Sequence, residues 1–535
     1  MRTPTRPART AALLPKAAGV LTALLLVTGT VSACTLGNDN QPRLHAKPIP
    51  SGSTSSSPSP SSSASPDSGS DDPALTRYYD QKVDWSHCRD GDRCAEIQVP
   101  LDYAHPGRKA ITLSLLEVPA SDPQQRIGSL VVNPGGPGEP GTDYAASADH
   151  YFSSEVRAAF DIVGFDPRGV GSSTPIDCLS GAQLDTYIAS DPDPDTRAEA
   201  AQGLAMTKSL GRGCLKHSRH LTPHVSTEEA ARDMDVIRAV LGEGRLSYFG
   251  ASYGTFLGAT YADLFPDNVG RMVLDGALDP SEDAVHASLM QAEGFQVALD
   301  SYIKHCVDGG GCYLGRTEDQ ALATIHDFLQ RLDATPIPGD GRRQLTEGLA
   351  VLGIWLPLYN RDFWPILDVA LSAALKGNGA GLLSLADSYT GRTQDGYANN
   401  SVEANYAVNC LDNDQFVSLQ QLRHVEPQFE QASPTFGRVF AFGLTACGSW
   451  PVQSGKEPHK LHAAGAAPIL VIGTSRDPAT PLAWARSLAR QLDSGVLITR
   501  NGDGHTGYRA GNSCVDNTVD RYLVSGVVPK ATVHC

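Results

Sequence analysis

Beyond residue 34 the chain has no apolar run long enough to cross a bilayer, which takes roughly 20 such residues. Positive charge is scarce: 43 lysines and arginines face 59 acidic residues, for a formal net charge of −16. That balance argues against a nucleic-acid partner and against electrostatic docking on anionic lipid. No C-x-x-C pair occurs, so the cysteines lack the spacing of a structural zinc site. The G-x-x-x-x-G-K-[ST] phosphate loop is absent, and no internal repeat is visible.

What the N-terminus has is a targeting pattern. Arg2, Arg6, Arg9 and Lys16 precede an apolar stretch from Ala18 to Val27, and no acidic residue occurs before Cys34. The stretch ends in Val31-Ser32-Ala33-Cys34, which resembles the bacterial lipobox, where the cysteine is diacylated and becomes the new N-terminus. Residues 1–33 are therefore expected to be a lipoprotein signal peptide and Cys34 a lipidation site; the alternative is an ordinary signal peptide cut near Ala33. Loss of the four basic residues takes the net charge to −20. Residues 34–74 read as a disordered tether or, equally, a glycosylated stalk, since twelve of the twenty positions from Ser51 to Ser70 are serine. The expected location is the outer face of the cell membrane, with release to the medium as a variant.

The 11 cysteines are an odd number for an exported chain, and removing Cys34 leaves ten. Paired in chain order they give Cys88–Cys94, Cys178–Cys214, Cys306–Cys312, Cys410–Cys447 and Cys514–Cys535. An oxidising compartment favours such disulfides. Locality alone carries this pairing.

The body alternates short apolar runs with helical stretches, as an α/β fold requires. Strands are expected at Ile127–Val132, Phe160–Phe165, Leu246–Phe249, Val269–Leu274, Ala467–Gly473 and Gly495–Ile498. A helix should start at Ser226 with a capping box to Glu229. The rhythm breaks after Pro280 into mainly helical patterning. The boundaries that follow are a core at 75–280, a helical cap at 281–449, and the rest of the core at 450–535.

The chemistry is carried by Gly250-Ala251-Ser252-Tyr253-Gly254, set between a strand and a helix-compatible stretch. Strand, G-x-S-x-G, helix is the nucleophile elbow of the α/β-hydrolase architecture, a mostly parallel sheet flanked by helices. A serine hydroxyl needs a base to take its proton and an acid to orient that base. In this fold their chain order is Ser, Asp or Glu, His. Asp477 and His505 each follow a late strand, 28 residues apart. Ser252 is thus the expected nucleophile, His505 the base and acid, and Asp477 the orienting carboxylate. Asp275, one strand earlier, is the rival acid; Asp503 is too near the histidine to reach its ring. The oxyanion should be held by the N–H groups of Tyr253 and Gly136, the latter in the Gly135-Gly136-Pro137-Gly138 loop.

Pro-Gly-Gly-Pro-Gly, Asp166-x-Arg168-Gly169-x-Gly171-x-Ser173, Gly250-x-Ser252-Tyr253-Gly254, Cys447-x-x-Trp450-Pro451 and Asp477-Pro478-x-Thr480-Pro481 together resemble the secreted tripeptidyl aminopeptidases of high-GC Gram-positive bacteria, relatives of the prolyl aminopeptidases. The resemblance covers nearly all of the chain after the tether. It implies hydrolysis of peptide or amide bonds near a free N-terminus, with peptide substrates and without metal or organic cofactor; the chain is expected to act as a monomer. One departure is Glu139-Pro140-Gly141, where the family usually continues Gly-Gly-Ser-Gly. An exopeptidase must read the substrate's terminal ammonium, and carboxylates at the cap–core junction suit that task. The candidates are Glu139, Glu282, Asp283, Asp412 and Asp414, each with a solvated surface acid as the competing reading. Two other functions share the scaffold: a carboxylesterase or lipase using the same triad, and a binding lipoprotein that kept the fold.

Overall fold

Leu130, Val131 and Val132 are all buried, yet Val131 packs in one apolar cluster and its two neighbours in another. Tyr248 and Phe249 divide in the same way, as do Val471 and its neighbours Leu470 and Ile472. Side chains alternate across a strand, so such runs belong to a sheet covered on both faces. The computed structural model describes residues 72–535 except positions 90, 414 and 454. Residues 1–71, with Cys34 and nearly all of the tether, lie outside the described residues, as does Asp414.

The sheet begins with β1 (Ser86–Arg89), β2 (Asp92–Pro100) and β3 (Ala110–Val118), followed by β4 (Gly128–Asn133), β5 (Phe160–Phe165), β6 (Leu246–Ala251) and β7 (Val269–Asp275). Two short pairs follow within the cap, β8 (Ile337–Pro338) with β9 (Gln344–Leu345), and β10 (Arg392–Thr393) with β11 (Gly396–Tyr397). The sheet resumes with β12 (Ile469–Arg476), β13 (Gly495–Asp503) and β14 (Val533–His534). Its ten strands run in the order β1-β2-β3-β5-β4-β6-β7-β12-β13-β14. Pairing is antiparallel from β1 to β5 and parallel from there on.

One face is covered by helices that include Thr227–Val240 and Tyr253–Leu264, which contribute Met234, Ile237 and Leu257. The other is covered by Ser154–Ala159 and Ser513–Ser525, through Val156, Val515, Val519 and Leu523. Ser226 accepts the Glu229 N–H as expected, but Glu229 does not return the bond. Its carboxylate faces His224 and Arg168 instead, so only half of the capping box forms.

The cap has its own core, built on Leu299, Tyr302, Ile325, Leu349, Ile354, Leu367 and Leu382. Its first long helix is Ala284–Asp308 and its last turn is Ala446–Ser449. Its boundary differs from the expected one in one respect. Helices Gly181–Ile188 and Arg197–His217 interrupt the first half of the core, and Ile188 and Ala189 pack on the cap cluster. Five disulfides join Cys88–Cys94, Cys178–Cys214, Cys306–Cys312, Cys410–Cys447 and Cys514–Cys535, the pairs that locality gives. No described helix is long and apolar enough to cross a membrane.

Two of the sequence motifs build scaffold. Asp166 accepts the Thr142 N–H and hydroxyl and the Ser172 N–H. Arg168, fully buried, pairs with Asp233 through two bonds of 2.7 and 2.8 Å.

Candidate active site

Ser252 sits between β6 and the helix Tyr253–Leu264 with φ +55° and ψ −125°. A non-glycine residue holds this conformation only where its surroundings enforce it. A side chain on Gly250 would come within 2.3 Å of the Gly254 carbonyl oxygen, so the elbow closes only with glycine there. The Ser252 N–H donates to the Asp275 carbonyl at 2.9 Å, tying the elbow to the end of β7.

The glycine loop follows β4 and lies against that elbow. Gly135 has φ +106°, and a Cβ there would stand 2.8 Å from Ser252 Cβ and 2.9 Å from the Tyr253 nitrogen. Among the described residues neither the Gly136 nor the Tyr253 N–H donates to another group of the chain. Two uncommitted donors beside a strained serine are what an oxyanion requires. The cap reaches this loop through Asn405, whose amide donates to the Pro137 carbonyl at 3.1 Å.

Asp477 follows β12 and His505 follows β13, strands that are parallel neighbours, so both side chains emerge at the same end of the sheet. The Nδ1 of His505 lies 2.9 and 3.0 Å from the two Asp477 oxygens. Asp477 is 2% exposed and accepts N–H bonds from Ala479, Thr480 and Thr506 as well as the Thr480 hydroxyl. Burial opposes charging His505, but the charge and hydrogen bond of Asp477, with a smaller push from Asp275, outweigh it and raise the imidazole above its ordinary range. The Nε2 is buried and without a partner. The ring edge lies against Gly276, one residue after the carbonyl that holds Ser252. No hydrogen bond joins Ser252 to His505 here; substrate-free sites commonly tighten that contact only on binding.

The rival carboxylate has a different position. Asp275 accepts the Gly507 and Tyr508 N–H groups at 2.8 Å each and does not touch the imidazole nitrogens. Burial pushes its carboxyl up to about 6. Asp503 turns away toward Arg476, Arg361 and Ser301. Sequence reasoning missed Tyr359, whose carbonyl accepts the His505 N–H at 2.8 Å and whose ring meets the imidazole edge-on at 5.3 Å. It lies in the cap, far from any catalytic motif in sequence. Also missed is an aromatic recess of about 210 Å³ lined by Pro134, Tyr144, Tyr151, Phe249, Ala251 and Tyr508, with Asp275 and Thr506.

The structure separates the acids proposed to read a substrate ammonium. Asp283 caps the helix Ala284–Asp308 by accepting the His286 N–H, and Glu282 pairs with the His286 ring. Asp412 accepts the Thr227 N–H at 2.8 Å and its hydroxyl at 2.5 Å, and burial raises its carboxyl to about 6. Local helix chemistry or a distant backbone donor thus occupies these three. Glu139 differs: its N–H closes the oxyanion loop onto the Gly135 carbonyl, and its side chain, though it reaches solvent, is crowded by Ser401, Asp143, Tyr151 and Tyr389. Desolvation raises its carboxyl, and the Ser401 hydrogen bond works the other way.

Known proteins match this arrangement over most of its length. A family model described as "alpha/beta hydrolase fold" matches residues 128–364, and one described as "TAP-like protein" matches residues 433–535. Serine protease Hip1 of Mycobacterium tuberculosis is 37% identical over 477 residues, covering 85% of this chain and 91% of the relative. Carboxylesterase B of the same organism is 34% identical, covering 84% and 89%. Tripeptidyl aminopeptidase of Streptomyces lividans is 30% identical over 472 residues, covering 85% and 86%.

Proposed function

From the premise that this chain belongs to the TAP-like α/β-hydrolase family and is a serine peptidase of that fold, we infer that it is an extracytoplasmic exopeptidase cutting near a free N-terminus through an acyl-enzyme. Ser252 attacks the scissile carbonyl while His505 Nε2 takes its proton. Asp477 holds Nδ1 and stabilises the imidazolium. The Gly136 and Tyr253 N–H groups receive the oxyanion, which forms next to the elbow that Gly135 abuts. His505 then protonates the leaving amine, and water releases the peptide acyl group by the reverse path. Lipid anchoring at Cys34 belongs to the same proposal, supported by the lipobox-like Val31-Ser32-Ala33-Cys34 and the Ser/Pro-rich tether.

The observation that carries exopeptidase specificity is Glu139: a carboxylate three residues after Gly136 of the oxyanion loop, paired with no cation among the described residues. A substrate ammonium would supply one. The relative named carboxylesterase B supports a second reading, ester hydrolysis on the same triad. The deciding measurement is kcat/KM on one peptide with its amine free and then acetylated, beside a simple ester. Preference for the free amine supports the exopeptidase; equal peptide rates, or cleavage of the ester alone, overturn it.

A further inference from the structure

Asp191-Pro192-Asp193-Pro194-Asp195 places three carboxylates at alternate positions, in the connection between the helices Gly181–Ile188 and Arg197–His217. The fold sets this connection against the first residue of the cap helix Glu347–Leu358. Contact is close because Gly348 has no side chain: a Cβ there would stand 2.4 Å from the Ser190 carbonyl oxygen and 3.1 Å from that of Ile188. One carboxylate oxygen from each of Asp191, Asp193 and Glu347 then lies within 4.8 Å of the others. Oxygens bound to one calcium ion at about 2.3–2.6 Å can be separated by as much as that.

Negative charge dominates the group: burial and the neighbouring acids outweigh Arg438, which favours the Asp193 carboxylate. Glu347 is 6% exposed, its buried Oε2 accepts from no donor among the described residues, and its carboxyl is set against that of Asp193. Of the Asp191 oxygens, Oδ1 accepts the Asp193 N–H. Arg438 is the nearby cation, but its Nη2 donates to the Asp193 and Pro194 carbonyls, its Nη1 pairs with Asp195, and its Nε lies 3.3 Å from Glu426. Asp333 and Glu199 add further negative charge around Asp191. Buried carboxylates in contact require a proton or a cation between them.

We propose that Asp191, Asp193 and Glu347 bind one calcium ion, which clamps the 189–196 connection to the cap. The aspartates and the glutamate supply hard anionic oxygens, and carbonyls and water complete the shell, as calcium prefers. The helix that starts at Glu347 ends next to Tyr359, which holds the His505 N–H. The ion would thus brace, from about 18 Å away, the helix that supports the catalytic loop. It takes no part in the reaction.

The test uses the full-length protein after chelation and dialysis, with calcorimetric titration of calcium and thermal melts in 5 mM calcium, 5 mM magnesium or chelator. The expected result is one site with Kd between about 10⁻⁵ and 10⁻³ M, a Tm higher by about 2–5 °C in calcium, and a smaller effect of magnesium. Glu347→Gln and Asp193→Asn should each abolish both signals, while Asp195→Asn, whose carboxylate faces Arg438, retains them. No heat and no Tm change in wild-type protein at 5 mM calcium overturns the proposal and leaves a shared proton between the carboxyl groups. Calcium binding that survives both variants overturns it too, by placing the ion elsewhere.

Discussion

The carbonyl oxygen of Asp275 accepts the N–H of Ser252 at 2.9 Å, while the carboxylate of Asp275 accepts two N–H groups from the loop that carries His505. One residue therefore fixes Ser252 through its backbone and the His505 loop through its side chain. Its role is positioning, since Asp477 holds the imidazole. Asp275→Asn retains one acceptor and leaves a loop N–H facing an amide. We predict a fall in kcat of about 10–100-fold, the scale of a misplacement near 1 Å, with KM nearly unchanged. An unaltered kcat would remove Asp275 from the mechanism.

Ser252→Ala is expected to lower kcat by about a million-fold, as in serine proteases whose nucleophile is removed. Alanine inherits the same positive φ, so the melting temperature should stay close to that of the parent. Ser252→Gly removes that strain, because glycine accepts the conformation freely. It should be equally inactive but more stable by about 1 kcal/mol. Denaturant titration of the three proteins separates the two effects, and a less stable glycine variant would contradict the strain argument.

The elbow, the glycine loop and the Asp477–His505 pair could be read from sequence because each is a short motif at the end of a strand. Their alignment follows from parallel pairing. The acids near the cap were less legible for a physical reason: a carboxylate is free or occupied according to partners that composition does not reveal. Asp412 meets Thr227 across 185 residues of chain. The Asp283 cap is the exception, since its partner is three residues away and the spacing is an ordinary N-cap signal. Antiparallel β1–β3 and the helices of residues 181–217 went unread because their burial depends on the sheet edge and the cap they pack against.

Glu139→Gln tests the reading of Glu139 directly. It keeps the size and polarity of the side chain and removes its charge. If a substrate ammonium pairs with it, kcat/KM on free-amine peptides should drop by about 10–100-fold, the worth of a hydrogen bond between charged groups. Acetylated peptides should be hydrolysed as before. An equal loss on both substrates would indicate instead that Glu139 only shapes the oxyanion loop.

The pH dependence has a fixed sign. In the proposed mechanism Ser252 needs neutral His505; burial opposes charging that imidazole, but Asp477 and, less strongly, Asp275 outweigh it and raise it above its ordinary 6.5. Activity should therefore be lost as pH falls through a value above 6.5, seen as the acidic limb of kcat/KM for the free enzyme. Asp477→Asn removes the main stabilising charge, so burial then dominates. The limb should move below that of the parent while kcat drops by about 10⁴-fold. Stability runs the other way. A histidine with a raised folded-state value contributes stability that is complete below its unfolded value, near 6.5, and lost as pH rises through the folded one. Asp275, raised to about 6 from 3.8, contributes with the same sign in a lower window: its share is full below 3.8 and gone above about 6. Thermal melts of wild type and Asp275→Asn should thus diverge between pH 4 and 6, with the wild type losing more stability as pH rises. Parallel melting curves over that interval would show that the carboxyl of Asp275 is not raised.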